Sequence, residues 1–165
     1  MEFTDSDQYI LLPSFIPKSG SPNTVFSLTV SFWLKLESAA TSGFIFRMTR
    51  SDLSQNLFAI RMNSMKFILS IGSDELSSNS VIPPSVWHLI TAIFTGYTHT
   101  NDCSYLLYMN GTQIGRLALE LPQIGTLAFL PSDLVFLGGP GGFTGGKIAN
   151  LKIFNPGSNL FIPRK

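Results

Sequence analysis

The feature that most constrains this chain is the segment Tyr105-Leu106-Leu107-Tyr108-Met109-Asn110-Gly111-Thr112-Gln113-Ile114-Gly115-Arg116. Two apolar runs flank an Asn-Gly pair. A type I′ turn needs positive φ at both central residues, and its twist matches that of the strands it joins. The spacing therefore predicts a tight antiparallel hairpin with Asn110 and Gly111 at its tip. The same pair opens Asn110-Gly111-Thr112, an acceptor sequon that makes Asn110 the candidate glycosylation site.

A period of 2 runs through almost the whole chain. Between positions 27 and 36, Leu28, Val30, Phe32, Leu34 and Leu36 share one face, and Thr29, Ser31, Trp33 and Lys35 share the other. That is the pattern of a strand with one face in a core and one in water. Further strands are expected at 8–12, 43–48, 57–61, 65–71, 86–95, 104–109, 112–119, 133–138 and 147–154. The run at 86–95 is apolar on both faces, with Trp87, Leu89 and Ile93 against Val86, Ile90 and Phe94, and belongs at the centre of a sheet. Asn63-Ser64 is a second expected hairpin turn. Breakers separate the runs at 17–22, 77–84, 97–102, 122–125 and 138–146. Helical periodicity nowhere extends beyond a turn or two. Many short strands with regular turn signals predict an all-β fold of two packed antiparallel sheets over 1–154. The stretch 155–165, with Pro156 and Pro163, reads as an extended C-terminal tail.

Charge bounds the partners. Lys and Arg total 11 against 10 Asp and Glu, a net charge of +1, which argues against nucleic acid as a partner. No apolar run reaches the ~20 residues that cross a bilayer, so membrane insertion is not expected. Charged residues make up only 13% of the chain, against about 25% in ordinary soluble domains, and mean hydropathy is +0.25. Three explanations fit: a Ser/Thr-rich surface over a large core, a surface shielded by glycans, or a surface buried against other domains or copies of itself. The single cysteine, Cys103, rules out an internal disulfide and a cysteine-based metal site. Met1-Glu2-Phe3-Thr4-Asp5 lacks the basic start and apolar stretch of a secretion signal. The expectation is a mature or excised piece of a longer chain.

With the strands placed, four blocks carry a resemblance. Met1 to Ile10 looks like an opening strand, acidic turn and second strand. Phe26-Ser27-Leu28-Thr29-Val30-Ser31-Phe32-Trp33-Leu34-Lys35 looks like a long "FTISFWVK" strand. Val86-Trp87-His88-Leu89-Ile90-Thr91-Ala92 with Tyr105 to Arg116 looks like a "WHHVAVTY … LYVDGKLVG" pair, and Leu134 to Phe154 like a closing "LYIGG … FNGYIDDVRIYN". In this order the chain resembles the laminin-G-like jelly rolls of the concanavalin A-like lectin/glucanase superfamily. The resemblance implies a concanavalin A-like two-sheet sandwich. It also implies a non-catalytic module of an extracellular or cell-surface protein that binds glycan, protein or calcium, or that spaces and assembles. Where that pattern has Asp-Asp in its closing block, this chain has Ala149-Asn150. Asp5 and Asp7 remain as weak candidates for calcium, but that ion takes about 6–8 oxygen ligands with carboxylates prominent. No bound metal or other cofactor is expected, and turn capping explains both residues.

Enzymatic chemistry finds little purchase. A glycosidase needs two carboxylates flanking the scissile bond. Asp74 and Glu75 are adjacent in a Ser-rich stretch read as loop, while Glu37, Glu120 and Asp133 stand alone near strand ends. Gly141-Gly142-Phe143-Thr144-Gly145-Gly146-Lys147 matches the start of a phosphate-binding loop, but Ile148 stands where Ser or Thr should reach magnesium, and a strand follows instead of a helix. Those glycines are read as a tight crossing into the last strand. His88 is read as a structural histidine, and His99 with Cys103 provides too few ligands for zinc. The polar loop 97–102 supplies an aromatic, an imidazole, an amide and a carboxylate, so Tyr97, His99, Asn101 and Asp102 are the candidate ligand-binding residues. The sequence thus favours a non-catalytic extracellular recognition or adhesion module for glycan or protein. A self-assembling structural subunit comes second and a carbohydrate-active enzyme third.

Overall fold

The computed structural model describes residues 2–4, 8–13, 28–38, 41–72, 74–95, 103–119, 132–138 and 142–154. These form twelve strands and, among the described residues, no helix: β1 (Glu2–Phe3), β2 (Tyr9–Leu12), β3 (Leu28–Leu36), β4 (Gly43–Thr49), β5 (Asn56–Asn63), β6 (Lys66–Ile71), β7 (Asp74–Ser77), β8 (Trp87–Thr95), β9 (Cys103–Met109), β10 (Thr112–Leu119), β11 (Leu134–Gly138) and β12 (Gly146–Phe154). Two six-stranded sheets result. The first has the order β1-β12-β3-β8-β9-β10 and the second β2-β11-β4-β5-β6-β7. Every ladder is antiparallel. The expected jelly-roll sandwich is the observed fold.

The period-2 pattern sets which side chains are buried. In β3, Leu28, Val30, Phe32, Leu34 and Leu36 are fully buried, while Trp33 remains 38% exposed on the outer face. Beside it Ser31 and Thr91 share a hydrogen bond of 3.1 Å between their hydroxyls. The doubly apolar β8 lies inside the first sheet, between β3 and β9, as its composition requires. The opposing sheet contributes Phe46, Met48, Phe58, Ile60, Met62, Phe67, Leu69 and Ile71 to the same core. Each such side chain contributes about 1.5–3 kcal/mol on burial, which is what holds two sheets face to face.

The hairpin between β9 and β10 forms as expected: Asn110 has φ 52° and Gly111 φ 80°, and Met109 pairs with Thr112. Two local expectations are corrected. The β5–β6 turn lies one residue later than Asn63-Ser64: Asn63 pairs with Lys66, and Ser64 and Met65 take positive φ at 49° and 64°. Asn63 extends the strand because its ladder partner is Lys66, and Ile82 N–H donates to the Met65 carbonyl at 2.8 Å, anchoring the turn from outside. Asp74 and Glu75 lie on β7, a short edge strand, not in a loop. Four residues with one inward apolar side chain, Leu76, are too few to show a period. The glycine-rich crossing does lead into a strand, and Gly145 takes φ 72°.

Candidate functional site

The site begins at Gly43, whose φ of 110° suits glycine alone. A Cβ there would run into the Gly142 carbonyl, so the backbone of the glycine-rich crossing lies directly against β4. Phe143 N–H donates to the Phe44 carbonyl at 3.0 Å and Thr144 N–H to the Ser42 carbonyl at 3.3 Å. Phe44 is thereby fixed at the start of its strand. A bulge then interrupts the β4–β5 ladder between Phe44 and Phe46. In an unbroken strand, positions 44 and 47 would face opposite ways. The bulge inserts Ile45 as an extra residue and returns both Phe44 and Arg47 to the outer face of the second sheet.

Across that face run two neighbouring rungs. One joins Phe44 to Arg61 and Arg61 to Ile68. The other runs Leu11, Phe136, Arg47, Ala59, Ser70, Glu75. Phe44, Arg61, Ser70 and Glu75 of these rungs line a cleft of about 570 Å³, together with Asn56, Asn63 and others. Arg61 Nη2 donates to both oxygens of Glu75, at 2.9 and 3.1 Å. This pair is partly exposed and orients two opposite charges at the cleft wall without locking them out of water.

Arg47 does not line the cleft but packs against Phe44, which does. Its guanidinium carbon lies 5.4 Å from the centre of the Phe44 ring and 5.1 Å from that of Phe136, a cation held against two π faces. Tyr9 meets Phe136 edge-on at 5.5 Å and is itself 54% exposed. Burial lowers the Arg47 pKa below its ordinary value. Its Nε is buried without a hydrogen-bond partner, and among the described residues the four ion pairs are Arg50–Asp133, Arg61–Glu75, Lys147–Glu2 and Lys147–Glu37.

Of the residues singled out from sequence, Asp5, Asp7, Tyr97, His99, Asn101 and Asp102 lie outside the described residues, as do Glu120 and the 155–165 tail. Asn110 is placed: it is exposed at the hairpin tip, and its side chain extends the β8–β9 ladder. Leu89 N–H donates to Asn110 Oδ1 at 2.8 Å, and Asn110 N–H donates to the Leu89 carbonyl at 2.8 Å. His88 Nε2 lies 3.2 Å from the Pro83 carbonyl, which can only accept, so Nε2 carries the proton and Nδ1 accepts from Asn110 Nδ2 at 3.2 Å. His88, 7% exposed, is therefore structural as expected. Asp133 is buried against Arg50, whose Nη1 donates to both carboxylate oxygens at 3.3 Å. Among the described residues no three His, Cys, Asp or Glu side chains group as metal ligands.

Of the cleft residues Glu75 was weighed from sequence, as a possible catalytic carboxylate in a loop; Phe44 and Arg61, and Arg47 beside them, were not singled out. Their one local signal is that Arg47 and Arg61 interrupt otherwise apolar strands at outward positions. What joins them is strand order and a bulge, neither of which has a local signature.

A two-sheet antiparallel sandwich with a polar, aromatic-edged cleft on one outer face is a lectin-type jelly roll. The family model for the concanavalin A-like lectin/glucanases superfamily matches residues 4–156, and the chain belongs to this laminin-G-like family. Solved structures agree in fold. A heptameric SAP-like pentraxin from Limulus polyphemus is 20% identical, with TM-score 0.55 over 77% of this chain and 63% of its own. A botulinum neurotoxin type C structure is 16% identical, with TM-score 0.54 over 80% of this chain and 33% of that one. The CBM40 of a Ruminococcus gnavus sialidase is 14% identical, with TM-score 0.55 over 81% of this chain and 77% of its own. The chain thus spans less than two thirds of the pentraxin and about a third of the toxin chain. A comparison with curated protein sequences returned no match.

Proposed function

We propose that this chain is a non-catalytic carbohydrate-recognition module of an extracellular protein, with its ligand in the cleft on the outer face of the second sheet. The observation that carries this reading is the cleft's composition. Sugars present apolar C–H faces and a rim of hydroxyls. Phe44 offers an apolar ring, and Asn56, Asn63, Ser70, Arg61 and Glu75 offer donors and acceptors around it. Its volume of about 570 Å³ falls in the ~300–1,000 Å³ range of small-molecule sites. Glu75 is held by both oxygens on Arg61, and a carboxylate oxygen can also accept from ligand hydroxyls. The relatives point the same way: the botulinum structure concerns cell entry through two ganglioside molecules, and the CBM40 was solved with sialyllactose bound. A glycan array followed by calorimetry tests the reading. Binding is expected, and Phe44→Ala should weaken it at least tenfold. A folded wild-type chain that binds no glycan overturns it. An extracellular setting further implies sugar on Asn110, read as a mass loss on enzymatic deglycosylation of native material.

The outer face of the first sheet favours a second reading, self-association. Trp33 and Trp87 stand about 40% exposed on neighbouring strands, with Phe154 on the same face. Light scattering across a concentration series separates the two: a persistent monomer removes assembly.

A further inference from the structure

We infer that the ligand of this cleft carries an acidic group, a carboxylate or a sulfate, and that Arg47 is the residue that receives it; this rests on the carbohydrate-recognition reading.

A guanidinium is rarely taken out of water without an anion, because desolvating a charge costs several kcal/mol unless it is paired. Arg61, one rung away, follows that rule with Glu75. Arg47 does not: it is half-buried against Phe44, which lines the cleft, its Nε is buried with no partner, and no described carboxylate forms an ion pair with it. What it has is two rings. The guanidinium carbon lies 5.4 and 5.1 Å from the Phe44 and Phe136 ring centres, and a π face satisfies part of the charge without accepting a hydrogen bond from the N–H donors. Nε is buried out of a ligand's reach, and the terminal Nη donors make no ion pair among the described residues. A carboxylate or sulfate oxygen pair matches that planar donor fork, and such bonds are roughly twice as strong as neutral ones. Phe44 lines the cleft and touches Arg47, so one sugar ring over Phe44 places its acidic substituent beside the arginine.

A purely structural arginine, clipping β4 to β11 through Phe136, is the competing explanation. The two differ in what the ligand's charge does. The experiment measures affinity for lactose, sialylated lactose and sulfated lactose on the full chain. We expect one acidic form to bind at least tenfold tighter than lactose, with sialylated against sulfated lactose telling carboxylate from sulfate. In Arg47→Met that preference should fall below twofold. In Arg47→Lys, which keeps the charge but loses the fork, it should drop at least threefold, and that variant decides the matter if Arg47→Met does not fold. High salt should shrink the wild-type preference, because exposed ion pairs are screened. Equal affinity for lactose and both acidic forms overturns the inference and leaves carbohydrate recognition standing. A preference that survives in both variants overturns the role of Arg47. Binding of no sugar at all removes the carbohydrate reading, and this inference with it.

Discussion

Tyr105 on β9 carries a hydroxyl into the core. Its ring lies 5.5 Å from Phe94 and 6.3 Å from Phe58, and its oxygen is buried without a hydrogen-bond partner. Burial raises the phenol's pKa far above the tyrosine range, with the nearby Asp74 carboxylate adding to it. The folded chain therefore holds this proton more tightly than the unfolded chain. Stability attached to it is complete below the ordinary tyrosine pKa of about 10 and declines above it by about 1.4 kcal/mol per pH unit. Urea melts from neutral to strongly alkaline pH should show that decline in wild type. Tyr105→Phe should lack this component and, at pH 7, match or exceed wild type by about 1 kcal/mol, since an orphaned buried hydroxyl is removed. A Phe variant with the wild-type alkaline slope would assign it to other groups. This residue illustrates what a single sequence leaves open: apolar side chains at consecutive positions of 105–109 do not say which face is inward, and nothing local says that the Tyr105 hydroxyl has no partner there.

The two tight turns differ in their chemistry. Asn110-Gly111 supplies the residues that positive φ favours, whereas Ser64-Met65 forces a methionine to φ 64°. A left-handed conformation costs an ordinary side chain roughly 1–2 kcal/mol. Replacing Ser64-Met65 with Asn-Gly should therefore stabilise the fold by about 1 kcal/mol, measured by thermal or denaturant unfolding with an unchanged m-value. Unchanged stability would mean that the Ile82 contact or the Met65 side chain offsets the strain. At this scale most of the fold was legible. The expected strands end within about two residues of the observed ones, because alternation and turn residues are local signals. β7 was missed for want of length, and the turn at Ser64-Met65 was misplaced because Asn63 looks like a turn residue when its ladder partner is unknown.

The whole molecule presents two outer faces with different chemistry. One bears the cleft, Arg47 and the Arg61–Glu75 pair. The other bears Trp33 and Trp87. The core separates them, and packed sheets stand about 10 Å apart. Substitutions on one face should thus leave the other untouched. Trp33→Lys with Trp87→Lys is expected to keep any glycan affinity within twofold and to abolish concentration-dependent association if it occurs. Loss of glycan binding in that variant, with folding intact, would move the site to the first sheet.

Alternation of apolar and polar residues, with Asn-Gly at one hairpin, was enough to determine ten of the twelve strands, the inward face of β3 and the all-β class. Those are properties of a residue and its close neighbours in the chain. The candidate site was not determined that way. Phe44 and Arg47 share a face only because β4 bulges at Ile45, and Arg47 meets Phe136 only because β11 lies beside β4. Glu75 reaches Arg61 across β6. Each of these neighbours is chosen by how the sheets close over a common core, a cooperative outcome of the whole chain, and so only the tertiary structure could bring them together.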